Sequence, residues 1–89
     1  MVNRAFLISG RVQGVFFRDS TKKEALKLGL QGSAVNLSDG TVKVCLRGVS
    51  EDIDLLERWL HKGPELARVE SVIEVDIDQQ LELNGFKVG

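Results

Sequence analysis

Apolar residues recur along this chain at two spacings, and the points where the spacing changes mark out short elements. Ala5–Ser9 is an apolar run closed by Gly10 and reads as a buried strand. From Phe17 to Leu28, the apolar or small residues Phe17, Thr21, Ala25 and Leu28 fall on one helical face. Lys22, Lys23, Glu24 and Lys27 occupy the other side, and Gly29 supplies a stop. Leu30–Val35 and Thr41–Arg47 flank the turn signal Ser38-Asp39-Gly40 and predict a hairpin. In its second strand Val42, Val44 and Leu46 alternate with Thr41, Lys43, Cys45 and Arg47, so one side is buried and the other wet.

A second helix follows. Ser50 can cap it, and Glu51, Asp52 and Asp54 put negative charge on its first turn. Ile53, Leu56 and Leu60 form the inner stripe, with Leu55 and Trp59 beside it, the latter as core. Arg58, His61 and Lys62 lie near its end, where His61 serves as a helix C-terminal cation, and Gly63-Pro64 stops it. Val69, Ser71, Ile73, Val75 and Ile77 then alternate with Glu70, Val72, Glu74, Asp76 and Asp78, the pattern of a half-buried strand. The polar stretch Gln79–Gly85 leads to Phe86-Lys87-Val88, a candidate for a short last strand. The order is β-α-β-β-α-β with that strand added. It predicts an α+β, ferredoxin-like split βαβ architecture: an antiparallel sheet with two helices on one face.

With 89 residues, 43% hydrophobic and 28% charged, the chain reads as a single globular domain over residues 1–89 rather than a disordered one. One Cys excludes an internal disulfide framework, and one Cys with one His cannot form an ordinary structural zinc site. The apolar run near the N-terminus is too short for a signal segment or a membrane span, so the expected compartment is the cytoplasm. A net charge of −1 argues against nucleic acid and acidic membranes as partners. An RNA-binding sheet of this topology also needs aromatics on its central strand, and Thr41–Arg47 has none.

The charge is unevenly spread. Residues 1–36 carry six Lys/Arg and two Asp/Glu, a net +4; residues 37–89 carry six and eleven, a net −5. Chance with helix-end placement accounts for this, and so does an anion site in the N-terminal half. Cys45 lies on the wet face with no histidine near it in sequence and reads as an incidental thiol.

Candidate chemistry concentrates between the first strand and the first helix, in Gly10-Arg11-Val12-Gln13-Gly14-Val15-Phe16-Phe17-Arg18. Gly14 can take positive φ, successive N–H groups can converge into an anion nest, and the following helix N-terminus adds partial positive charge. Arg18 falls in or near the first helical turn, where a cation is unfavourable unless an anion sits between it and the loop. No Gly-Lys-Ser/Thr follows, so this is not a Walker loop. The residues alone leave two readings open, an anion cradle and an ordinary tight βα turn.

The segment Gly10-x-Val12-Gln13-Gly14-Val15-x-Phe17-Arg18 resembles the signature of the acylphosphatase family. The resemblance continues through Leu28-Gly29-Leu30, Gly32, Asn36-x-x-Asp39-Gly40-x-Val42, Gly48, Trp59-Leu60, Gly63-Pro64, Ala67-x-Val69 and Gly85-Phe86, essentially the whole chain. It implies metal-independent, cofactor-free hydrolysis of carboxyl–phosphate anhydrides by a monomer, with inorganic phosphate as product and inhibitor. Arg18 would hold the phosphoryl oxygens, the backbone N–H groups of Gln13, Gly14, Val15, Phe16, Phe17 and Arg18 would cradle them, and Asn36 would orient the attacking water. The chain departs from the family pattern at Ser33 and Val35, which strand alternation puts on the face away from Asn36. The alternative is a phosphate- or sulfate-binding module on the same fold with negligible turnover.

Overall fold

A computed structural model describes residues 1–89 as β1 (Val2–Arg11), α1 (Phe17–Lys27), β2 (Gln31–Asn36), β3 (Val42–Gly48), α2 (Ser50–Lys62), β4 (Arg68–Val75) and β5 (Phe86–Val88). The sheet order is β4-β1-β3-β2-β5. β3 runs antiparallel to both β1 and β2, and β4 antiparallel to β1. Each βαβ unit therefore leaves a gap that a strand of the other fills, which is the split βαβ arrangement. β5 pairs with β2 in parallel, so the sheet is mixed rather than antiparallel throughout. β4 and β5 lie at opposite edges, and residues 76–85 must carry the chain from one to the other.

The core lies between the sheet and the two helices. Phe6, Ile8, Val42, Val44 and Leu46 meet Ile53, Leu56 and Leu60 of α2 and Phe17 and Ala25 of α1, all buried. Both helical stripes point where their spacing predicts. Thr21, the polar member of the α1 stripe, is buried because its hydroxyl donates to Phe17 O at 2.8 Å. α2 ends at Gly63, whose positive φ and N–H bond to Trp59 O at 2.8 Å close the last turn.

Two local expectations change. Ser50 does not cap α2: it is the first helical residue, Val49 is the N-cap, and no side chain closes the end. Only Val49 separates β3 from α2, so the chain has no room to set Ser50 outside the helix.

The second change is in β4. The pairing slips between Ser9↔Ser71 and Gly10↔Val69, leaving Glu70 without a partner. This bulge reverses the alternation, so Val69 and Val72 both pack on the core while Ile73 is 57% exposed. Gly10 permits it: at φ +121° it lies so close to the bulge that a Cβ would stand 2.1 Å from Arg68 O.

Two polar networks hold the periphery. Arg4 bonds Asp54 at 2.6 Å and Glu57 at 3.2 Å on α2, and Glu74 on β4 at 2.9 Å. Its hydrogen bond holds the Glu74 carboxyl below the usual value, against the opposing effect of burial. Asn3, fully buried, donates to Asp78 O and Leu81 O, each at 2.9 Å, and accepts from Arg47 at 3.0 Å. Gln79 completes that latch by bonding the Asn3 backbone on both sides. The polar 79–85 stretch is thus tied to the sheet.

Gly10→Ala is expected to cost about 2–4 kcal/mol, read as a fall in the urea midpoint, because neither its φ nor its contacts accept a Cβ. An unchanged midpoint would show that the bulge relocates freely. Glu74 contributes stability that is present above its ordinary value of 4.5 and lost as pH falls through its lower folded value. The melting temperature should therefore decline on acidification, and decline less steeply in Arg4→Met. Equal slopes in the two proteins would remove the ion pair from the acid response.

Candidate active site

The β1–α1 loop is held by alternate insertion. Val12, Val15 and Phe17 are buried in the core, while Gly14 and Phe16 turn outward. Phe17 is further clamped between Trp59, with ring centroids 5.9 Å apart, and Gly63, where a Cβ would come within 3.0 Å of the ring. This threading forces the backbone through two left-handed positions, Gly14 at φ +74° and Phe16 at φ +61°. Glycine occupies the first without strain. A phenylalanine in the second costs roughly 1–2 kcal/mol.

The consequence is a run of outward-facing amides. No backbone N–H from Gln13 to Asp19 makes a well-formed hydrogen bond to the chain; the first that does is Ser20, to Phe16 O at 3.0 Å. Part of this is the ordinary helix end. The rest belongs to the loop, whose two left-handed positions are of the kind that can bring successive N–H groups to one side. Beside them is a hollow of about 230 Å³ lined by Gly14, Phe16, Phe17, Arg18 and Asp19.

Arg18 projects from the first turn of α1 and has no Asp or Glu partner. Its guanidinium instead donates to the main-chain oxygen of Gly89, the last residue of the sequence. That same oxygen accepts the N–H of Asn36 at 3.1 Å, and Gly89 N–H donates to Ala34 O at 3.0 Å. One main-chain oxygen on the extension of β5 therefore links Arg18 to the end of β2. Asn36 is the last residue of β2, opposite Val42. Its Oδ1 is buried and accepts no hydrogen bond.

Gln13 joins the two parts. Its side-chain amide donates to Leu37 O at 2.8 Å and Thr41 O at 2.9 Å, the two ends of the β2–β3 turn. The turn is itself tight: Leu37 N–H bonds Thr41 O at 2.9 Å, and Asp39 accepts from the Thr41 hydroxyl at 2.6 Å and its N–H at 3.0 Å. These bonds, the hydroxyl first, hold the Asp39 carboxyl below its usual value.

All the residues singled out in sequence meet at one edge of the sheet. Gln13 to Arg18 form the loop, and Asn36 is brought to it by Gln13 and Gly89. Sequence reasoning gave Gln13 only a backbone part and missed the Gly89 carbonyl. The Asp39-Gly40 turn signal was a clue to the first, while a parallel edge strand has no local signal at all. Ser33 and Val35 pair with Cys45 and Lys43 on the open face, away from Asn36. No three His, Cys, Asp or Glu side chains cluster as metal ligands, and no helix is long and apolar enough to cross a membrane.

The family model described as Acylphosphatase matches residues 4–88. An acylphosphatase of Alkalilimnicola ehrlichii is 48% identical over 86 residues, covering 97% of this chain and 96% of the relative. Among solved structures, an acylphosphatase from Coxiella burnetii superposes with a TM-score of 0.91 at 38% identity, covering 99% of this chain and 92% of that one. The acylphosphatase from Bacillus subtilis superposes with a TM-score of 0.86 at 27% identity, covering 100% and 99%. A loop of amides without well-formed bonds, beside an arginine with no Asp or Glu partner, thus sits in a chain whose length, fold and sequence all match one group of proteins, and the chain belongs to the acylphosphatase family.

Proposed function

We propose that this protein hydrolyses acyl phosphates to a carboxylate and inorganic phosphate, with the phosphoryl group held by the 13–18 loop and Arg18. The observation that carries this reading is the run of amides from Gln13 to Asp19 without a well-formed hydrogen bond, beside an arginine with no Asp or Glu partner. Positive charge and N–H dipoles preorganised around one point stabilise the charge that spreads over the phosphoryl oxygens in a loose transition state. Little else is needed. The oxygen of an attacking water bonds to phosphorus, and the bond from phosphorus to the acyl oxygen breaks. The carboxylate leaves with that electron pair, and the water's proton passes to solvent or product. A carboxylate whose parent acid has a pKa of about 4 to 5 leaves without a general acid.

Asn36 takes the water. Its buried, unpartnered Oδ1 is an acceptor for a water O–H, and its amide can donate to the phosphoryl group. Leaving such an acceptor unused costs roughly 1–3 kcal/mol, which favours a role for it. Gln13 then sets the spacing between the water side and the phosphoryl side, because it bonds both ends of the turn that follows Asn36. In-line displacement depends steeply on that spacing.

Purified protein should release phosphate from benzoyl phosphate in the presence of a chelator, with inorganic phosphate as a competitive inhibitor. Arg18→Gln should lose activity by at least about a hundredfold while its circular dichroism and unfolding midpoint stay close to wild type. Asn36→Ala should lower kcat by a similar order with KM little changed. Phosphate raising the melting temperature of a wild type that releases none would instead identify a binding module. Gln13→Glu keeps shape but turns an acceptor toward two carbonyls. Its kcat should fall about tenfold or more at neutral pH and partly recover on acidification, as the carboxyl regains a donor. A kcat equal to wild type would remove Gln13 from the positioning role.

A further inference from the structure

Phe16 breaks two local rules at once. It is the one residue other than glycine with positive φ, and its side chain is 72% exposed although its neighbours Val15 and Phe17 are buried. The backbone conformation has an explanation: the left-handed turn aims the loop amides together. The aromatic ring does not share that explanation, because glycine or asparagine would take the same φ with less strain. An exposed ring in a strained position therefore needs a separate reason, and an observed outlier of this kind is where function is sought. The ring lines the same hollow as Arg18.

We propose that Phe16 forms the acyl-group subsite, and that the protein prefers acyl phosphates whose acyl part is apolar and uncharged, aromatic above all. The inference rests on the reading given under Proposed function. With the phosphoryl group against the amides and Arg18, the acyl part must lie toward the open side of a hollow of about 230 Å³, more room than a phosphoryl group takes. Phe16 offers a flat apolar surface there, against which an aromatic acyl group stacks or meets the ring edge. Asp19, exposed on the same rim, disfavours acyl groups that carry a second negative charge. The chemistry of hydrolysis is unchanged; the contact adds binding to one class of substrate.

The test compares kcat/KM for benzoyl phosphate and acetyl phosphate in wild type, Phe16→Asn and Phe16→Tyr. Asparagine keeps the left-handed backbone and removes the ring; tyrosine keeps the ring. In Phe16→Asn the ratio of kcat/KM for benzoyl phosphate to that for acetyl phosphate should fall about tenfold, whatever the common change in both. Phe16→Tyr should retain the wild-type ratio between the two substrates. Equal falls for both substrates, or none for benzoyl phosphate, would overturn the subsite while leaving acyl phosphate hydrolysis in place. A wild type that hydrolyses neither compound overturns the parent reading, and the subsite falls with it.

Discussion

Backbone amides are costly to leave without an acceptor, and a loop free to relax would close them into turns or extend the helix backward. The structure depends on preventing that. Val12, Val15 and Phe17 are sunk in the core, and they leave Gly14 and Phe16 only the outward, left-handed path between them. The anchors belong to the largest source of stability the chain has, its single apolar core. Cohesion of the whole domain thus supports local strain at the loop. A site built in this way is preorganised in the useful sense: the cost of orienting its dipoles is met on folding, not when a ligand arrives.

Topology decides what the loop faces. β1 and β2 each run antiparallel to β3 and hence parallel to one another, and β5 runs parallel to β2. Three C-terminal strand ends therefore arrive at one edge of the sheet: Arg11 leading into the loop, Asn36, and the extension of β5 at Gly89. The parallel addition of β5 is what supplies the Gly89 carbonyl to Arg18 and to the Asn36 amide. Asn3 and Gln79 hold the segment leading to β5 against the far end of β1, so a latch remote from the site helps decide where Gly89 stands.

Much of this was legible in the residues. The helical stripes and the β3 alternation state their own faces, because burial on one side imposes a period that nothing in those elements interrupts. β4 was legible as a strand but not in phase, since a bulge leaves its mark in the partner: Gly10, not Glu70, is the residue that makes it possible. On local physics the loop fits an anion cradle and a tight βα turn equally, and only the full motif distinguishes them. What bears on the matter physically is the spacing of the anchors, visible in sequence only as Val12, Val15 and Phe17, and the lack of well-formed bonds from the loop amides, which no sequence displays. The bonds from Gln13 and Gly89 span 24 residues or more, and local spacing holds no record of them.

Two arginines on the same small domain show how environment sets the use of a charge. Arg4 meets three carboxylates and lies over the Phe6 ring at 5.4 Å, so its charge is consumed in holding α2 and β4 to β1. Arg18 meets no Asp or Glu side chain, bonds only the main-chain oxygen of Gly89, and follows directly on the loop whose amides lack well-formed bonds. In the folding of the protein alone, that second placement is unfavourable, for a cation at a helix N-terminus opposes the helix dipole. The unfavourable terms share a direction, however: unpaired guanidinium, unbonded amides and helix terminus all gain when an anion enters between them. The features that weaken the loop as a piece of structure are the features that would favour an anion there. A single His and a single Cys therefore do not leave the domain short of chemistry, because the proposed site needs only backbone amides, one arginine and one asparagine.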